Sequence, residues 1–240
     1  VKSYDQLVWQ DDFSRDGSPD PEKWNYDIGR GPNGWGNNEA QEYTESRENS
    51  RIENGRLIIE AAQGDDGVYR SARLNTYGKS SWTHGSIEFR AKLPRGRGTW
   101  PAIWMLSDSI RTGTPWPRCG EIDLLEHIGR QQDVIHFSLH SEANNHTKRN
   151  QFTSVHPFHG VSDRFNTYRV NWSDKGFSFL VNGEIYAQQA KGDMTGPAQW
   201  PFDQNFHLIV NLAVGGYWGG EIDDAAFPAR LELEYIRVYQ

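Results

Sequence analysis

Apolar residues alternate with polar ones in one short segment after another along this chain. In GSIEFRAKL (85–93), Ile87, Phe89, Ala91 and Leu93 fall on one side. In GFSFLVNGEIYA, Phe177, Phe179 and Val181 do the same before an Asn182-Gly183 pair. A period of two is the signature of a half-buried strand, and Asn-Gly between two such runs tolerates the positive φ that a tight hairpin needs. RIENGRLIIEA turns the same way at Asn54-Gly55, and RLELEYIRVY reads as a closing strand. FHLIVNLAVGG is nearly continuous in its apolar character, as a strand covered on both faces must be. Few stretches carry the spacing of an amphipathic helix. Short strands separated by Gly, Pro, Asn and Asp predict an all-β sandwich or barrel.

Residues 1–240 show no linker-like composition shift and no internal repeat, so they read as one domain, a size that all-β folds reach as a single unit. Segment 141–166 is polar and reads as a long surface loop or an irregular strand. A chain of this length buries a sizeable core without staples, and its single cysteine, Cys119, rules out an internal disulfide and a cysteine-based zinc site. The formal charge of -7 lacks the basic stripe of a nucleic-acid binder. No apolar run is long enough to span a bilayer. No leader pattern is visible in VKSYDQLVWQDDF, so a secreted protein would be present here in its mature form. Asn145-His146-Thr147 and Asn171-Trp172-Ser173 match the short glycosylation pattern, which recurs by chance. Ten Trp, ten Tyr and eleven Phe are a heavy aromatic load. Most would fill a core, and the remainder could form flat platforms for the apolar faces of sugar rings.

One strand breaks the alternation. GEIDLLEHIG (120–129) carries Glu121, Asp123 and Glu126. Strict alternation would put Glu121 and Asp123 on one face and bury Glu126 with Ile122 and Leu124 on the other, at a cost of several kcal/mol for an unpaired ion. A β-bulge at Leu124-Leu125 removes the conflict and returns Glu126 to the face of the other two acids. Three like charges in a row resist joint ionisation, so at least one pKa should rise. A raised carboxyl beside an ionised one is what glycosidic-bond cleavage requires. The competing readings are carboxylates paired with Arg118 and Arg130, or a calcium site, although calcium usually recruits a loop.

The acid motif does not stand alone. GWGNNEAQEYT (34–44), SARLNTYGK (71–79), GRGTWPAIWML (96–106), GEIDLLEHIG (120–129), NLAVGGYWGG (211–220) and EYIRVYQ (234–240) follow in order. Together they resemble the laminarinase branch of glycoside hydrolase family 16, the endo-β-1,3-glucanases, over nearly the whole chain. The resemblance implies a concanavalin A-like jelly-roll sandwich of two antiparallel sheets, with a substrate cleft across a concave face. It implies a retaining double displacement on β-1,3-glucan (laminarin) with no catalytic cofactor. Glu121 would be the nucleophile and Glu126 the acid/base. Asp123 would hydrogen-bond Glu121 and help keep Glu126 protonated. The extra residue between the acids matches the laminarinase branch; the branch without it includes the lichenases. The same fold could act on mixed-linkage glucan or on a galactan such as agar or porphyran. Glucan-binding relatives that have lost catalysis typically lack one or both Glu, and both are present here.

The resemblance also places substrate contacts. Trp100 and Trp104, four apart and on one face of a regular strand, would line the subsites before the cut. Trp218, flanked by glycines in GGYWGG, would stack on sugar, and Asn38 and Arg73 would hydrogen-bond hydroxyls. Trp116 would stack near the scissile bond or seat its loop. His140 would donate to sugar or to Glu126, whereas His136 would be packed. His136 and His140 could share a face and bind a metal, but no third ligand is evident and the H-E-x-x-H pattern is missing. The family often carries a structural calcium on the convex side, whose counterparts here would be Asp12, Gly55 and Glu234. This chain has Asp12 where the family usually has Glu, and Glu234 where it usually has Asp. A β-glucan partner, a monomer, and secretion or display at the cell surface complete the expectation.

Overall fold

The computed structural model describes residues 4–240. Both Asn-Gly pairs turn the chain as their chemistry predicts: Asn54 and Gly55 have φ of 52° and 72°, and Asn182 and Gly183 have 49° and 85°. Successive positive φ values match the twist of the flanking strands.

In chain order the strands are β1 (Leu7–Asp11), β2 (Asn25–Tyr26), β3 (Glu42–Tyr43), β4 (Ser50–Ile52), β5 (Leu57–Gln63), β6 (Tyr69–Ser71), β7 (Arg73–Asn75), β8 (Gly85–Lys92) and β9 (Thr99–Ser107). They continue with β10 (Glu121–His127), β11 (Val134–His140), β12 (Phe152–Pro157), β13 (Asn166–Ser173), β14 (Gly176–Val181), β15 (Glu184–Ala190), β16 (Phe206–Val214) and β17 (Ala229–Tyr239). One sheet runs β15-β14-β13-β8-β17-β5-β6-β3, with β1 on β17 and β4 on β5. The other runs β12-β11-β10-β9-β16-β7-β2. Pairing is antiparallel except for the short β3–β6 ladder, a small departure from the expected all-antiparallel pattern. Among the described residues no helix is long and apolar enough to cross a membrane.

The two sheets close on one core. Ile87, Phe89, Val170, Trp172, Phe177 and Phe179 meet Ile103, Met105, Ile122, Phe137, Leu208 and Val210 there, all at most 4 % exposed. Burying each such side chain contributes about 1.5–3 kcal/mol. The continuous apolar run forms β16, buried at every position because it sits between β9 and β7 with both faces covered. Segment 141–166 is more regular than its composition suggests. Phe152–Pro157 forms the sheet-edge strand β12, paired along its length with β11. Every second residue there faces solvent, and this is why the segment reads as polar. Asn145 is fully buried and accepts from the Thr147 backbone N–H and hydroxyl, so that glycosylation pattern is inaccessible in the folded chain.

The register brings the residues of the expected calcium site to one place: β1 ends with Asp11 opposite Ile236 and β5 begins with Leu57 opposite Leu233, on either side of Glu234. Asp12 is exposed and caps the Ser14 backbone N–H. Glu234 is ion-paired to Arg90 Nε. Arg56, Arg90 and Lys92 all lie within 5.9 Å of the Phe165 ring, and Arg56 and Lys92 both pair with Glu232. The one side-chain ligand is therefore already neutralised within a cationic cluster.

Candidate active site

The acid strand is held at both ends by glycines. Gly120 has φ of +86°, and a Cβ there would lie 2.8 Å from Pro201. At Gly129 a Cβ would fall 1.6 Å from the carbonyl oxygen of Gly96, so only glycine lets these two backbones meet. Between them the expected bulge is present. Against β11, Asp123 faces Ser138 and Glu126 faces His136, so Leu124 and Leu125 together stand opposite the single residue Phe137. Against β9, Asp123 faces Trp104 and Glu126 faces Ala102. Both leucines enter the core, at 0 % and 1 % exposed. Glu121, Asp123 and Glu126 thus share the outer face of the seven-stranded sheet.

Neither flanking arginine neutralises them. Arg118 lies 3.7 Å from Glu142, and Arg130 lies along Gly220. Each outer acid instead receives an indole N–H: Trp116 Nε1 donates to Glu121 Oε2 at 2.7 Å, and Trp100 Nε1 to Glu126 Oε1 at 3.1 Å. Asp123 is 2 % exposed and is held well above the ordinary carboxylate range. Burial is the main cause, followed by the charges of Glu121 and Glu126 and a hydrogen bond to Glu121. The shift favours the protonated form of Asp123, whose O–H would donate to the Glu121 carboxylate. Glu126 is pushed up to about 8, by burial first and then by Glu121, with the Trp100 N–H opposing and Glu39 adding.

Of the three acids of β10, His140 meets Glu121 and Asp123. It lies opposite Glu121 in the ladder, with Nε2 3.1 Å from Asp123 Oδ2 and 3.9 Å from Glu121 Oε1. Burial lowers its pKa despite the charge of Glu121, with His146 adding to the decrease, so the ring is neutral at neutral pH. Glu121, Asp123 and His140 offer ligand atoms within 4.8 Å of one another, enough to hold a metal ion. This is the one such group among the described residues, and His136 takes no part in it.

The platform residues gather around the acids. Trp218, on a single helical turn at Gly216–Gly219, meets Trp100 edge-on at 5.5 Å and His136 at 4.8 Å. Trp104 lies beside Asp123 and donates to Asn211 Oδ1 at 2.7 Å. Arg73 sits between the Trp104 and Trp35 rings, 4.9 and 4.7 Å from their centroids, and pairs with Asp27. Trp116 packs at a tilt against the His146 ring, with centroids 4.8 Å apart. Asn38 is exposed at the end of the Gly34–Asn38 turn, next to Glu39, which bridges to Gly215.

Three residues of this face carry more than the sequence reading gave them. Glu39 accepts from Asn37 and Gln41 at 2.9 Å each, and from Tyr43 Oη at 3.4 Å. Burial raises its pKa despite these donors and Arg73, and its charge adds to the upward push on Glu126. Asn211 links Trp104 to Tyr43, donating to its hydroxyl at 3.0 Å. His136 is packed, as expected, but on the face of Glu126 against Trp218. Its parity with Ser138 and His140 along a regular strand was the available signal.

Comparison with known proteins extends over the same residues. The sequence model of the family described as "Glycosyl hydrolases family 16" matches residues 37–237. A β-glucanase from Rhodothermus marinus is 46 % identical over 98 % of this chain and 85 % of its own length. The solved laminarinase from Rhodothermus marinus superposes with a TM-score of 0.93 at 45 % identity, covering 98 % of this chain and 97 % of its own. A laminarinase from Flavobacterium sp. UMI-01 superposes with a TM-score of 0.91 at 41 % identity, covering 98 % and 100 %.

Proposed function

Because the chain belongs to glycosyl hydrolase family 16, we propose that it is an endo-hydrolase of β-1,3-glucan, acting with retention through the three acids of β10. One observation carries the reading: the bulge brings Glu121, Asp123 and Glu126 to one open face with no cation to neutralise them. The β-glucanase and the two laminarinases compared above extend over nearly all of the chain, and this supports the choice of polymer.

The chemistry follows from the two protonation states. Glu121 is the nucleophile: the Trp116 N–H and the Asp123 O–H both donate to its carboxylate and fix its orientation toward the anomeric carbon. Glu126, with its pKa near 8, carries a proton at neutral pH and delivers it to the leaving oxygen. With Oε1 occupied by the Trp100 N–H, Oε2 is the oxygen left for that transfer. Once the leaving sugar departs, Glu126 is an anion beside a glycosyl-enzyme, and it takes a proton from the water that resolves the intermediate. A retaining site of this kind places its two carboxyl groups about 5–5.5 Å apart. The protein's own groups supply every step.

Trp100, Trp104 and Trp218 offer rings to sugar faces along a concave cleft, and Arg73 and Asn38 offer donors to hydroxyls. Arg73 is held by two indoles and Asp27, so it presents its remaining N–H groups without losing much side-chain entropy on binding. We place the enzyme outside the cell or on its surface, where a glucan polymer is met, and as a monomer, since all of these residues come from one chain. Reducing-sugar release from laminarin, barley glucan, agarose and porphyran tests the reading. Release from laminarin is expected to be fastest, and none from laminarin would overturn it. Glu121→Gln should abolish cleavage while glucan binding survives.

A further inference from the structure

The core side of β11 borders a concavity away from the acids. Leu139 points into the core while His140, its neighbour, points to the acids, so a pocket lined by Leu139 lies on the other side of the sheet from the catalytic face. Its volume is about 230 Å³. It opens between the loop after β11 and the segment that joins β15 to β16, next to the edge strand β12.

Its chemistry is specific. No charged side chain lines it, so nothing there suits an ion, a phosphate or a carboxylate. Two nearly buried donors face no acceptor. The Trp200 indole N–H has no partner although the residue is 4 % exposed. Ser141, 3 % exposed, accepts from the Asn144 backbone N–H but donates to nothing. The amides around the rim are half committed. Gln199 Oε1 accepts from Thr195 and Gln189 Nε2 donates to Ala190, which leaves the opposite end of each free. The Gln151 side chain makes no hydrogen bond, and Asn144 Oδ1 accepts none. Phe152, Met194 and Phe202 supply an apolar wall.

The buried Trp200 N–H left unpaired costs about 1–3 kcal/mol, and the partly exposed amides at the rim have ends free to join an occupant that would satisfy it. Uncommitted donors and acceptors interleave around an apolar wall. The matching ligand has hydroxyls that both donate and accept, on a body with apolar C–H faces, and carries no charge. We propose that this pocket is a non-catalytic binding site for one hexose unit of a neutral glycan. A polysaccharide held there stays close to the cleft, because the loop that lines it begins directly after His140. The inference rests on the glucan reading only for which hexose is expected.

The test is a ¹⁵N NMR titration of the whole protein with glucose and with laminaribiose, glycerol serving as control. Both sugars should move the Trp200 indole N–H and the Gln151 and Gln199 side-chain amides together, with one affinity, and glycerol should not. Gln151→Ala/Gln199→Ala should remove those shifts and leave hydrolysis of soluble laminarin unchanged. Trp200→Phe should weaken the site about 5- to 10-fold by deleting one donor while keeping the ring. Laminaribiose shifts at Trp104 and Trp218 report the cleft separately, so failure of the glucan reading and failure of this site are distinguishable. Pocket resonances that stay still up to the solubility limit of both sugars would overturn the proposal. So would shifts that glycerol reproduces, or shifts that persist in the double variant.

Discussion

The indole N–H of Trp100 donates to Glu126 Oε1 at 3.1 Å. That bond favours the charged form of Glu126 and works against burial, Glu121 and Glu39, which all favour the neutral one. Trp100→Phe keeps an aromatic ring and deletes the donor. The basic limb of the kcat/KM profile should move to higher pH, whereas Glu39→Gln should move it lower. The pH profiles of the two variants check this, and shifts in the same direction would contradict it.

The wild-type profile should lose activity as pH rises through about 8, where Glu126 gives up the proton it must donate. The same shift has a stability counterpart. Folded Glu126 holds its proton above the pH at which the unfolded chain releases it, so between about 4.5 and 8 the folded state binds more protons and loses stability as pH rises. Glu126→Gln should therefore be more stable than the wild type at pH 8 by about 1–3 kcal/mol and nearly equal to it at pH 4. Urea denaturation at the two pH values measures the difference.

Trp116 Nε1 lies 2.7 Å from Glu121 Oε2 while its ring packs at a tilt against His146. Trp116→Phe keeps an aromatic ring there and removes a charge-assisted bond. We expect kcat on laminarin to fall by about 10- to 100-fold with KM little changed. A rise in KM at constant kcat would assign the residue to sugar binding alone.

How far the sequence carried the fold is clearest at β10. The bulge was readable because Glu126 broke an alternation that a buried anion could not tolerate, and the register shows it at Leu124-Leu125. The Asn-Gly hairpins were readable for a similarly local reason. What stayed hidden depended on long-range packing. Glu39 lies in a loop more than eighty residues before Glu126, and its effect exists only after β16 brings Gly215 beside it. That His140 stands opposite Glu121 is legible only from the β10–β11 register, whereas the resemblance implies a donor to sugar or to Glu126. Segment 141–166 hid an edge strand because its outer face is solvated. At Glu234 the resemblance implies a calcium ligand, and the Arg90 partner that the fold gives it lies far away along the chain.

The two leucines of the bulge separate register from packing. Leu125→Ala leaves the bulge and opens a cavity, so it should cost about 2–4 kcal/mol in denaturation and leave kcat close to wild type. Deleting Leu125 restores plain alternation, keeps the acids on one face opposite the same partners and removes the local twist of the bulge. It should cost similar stability yet depress kcat far more. Equal kcat losses in the two variants would mean that the bulge sets core packing only.

The central claim is that Glu121 attacks carbon and Glu126 serves as acid and then base. Proton NMR of the first reducing ends released from laminarin tests it most directly. The account predicts that the β anomer appears first and mutarotates to the equilibrium mixture. The α anomer appearing first would show inversion and contradict it.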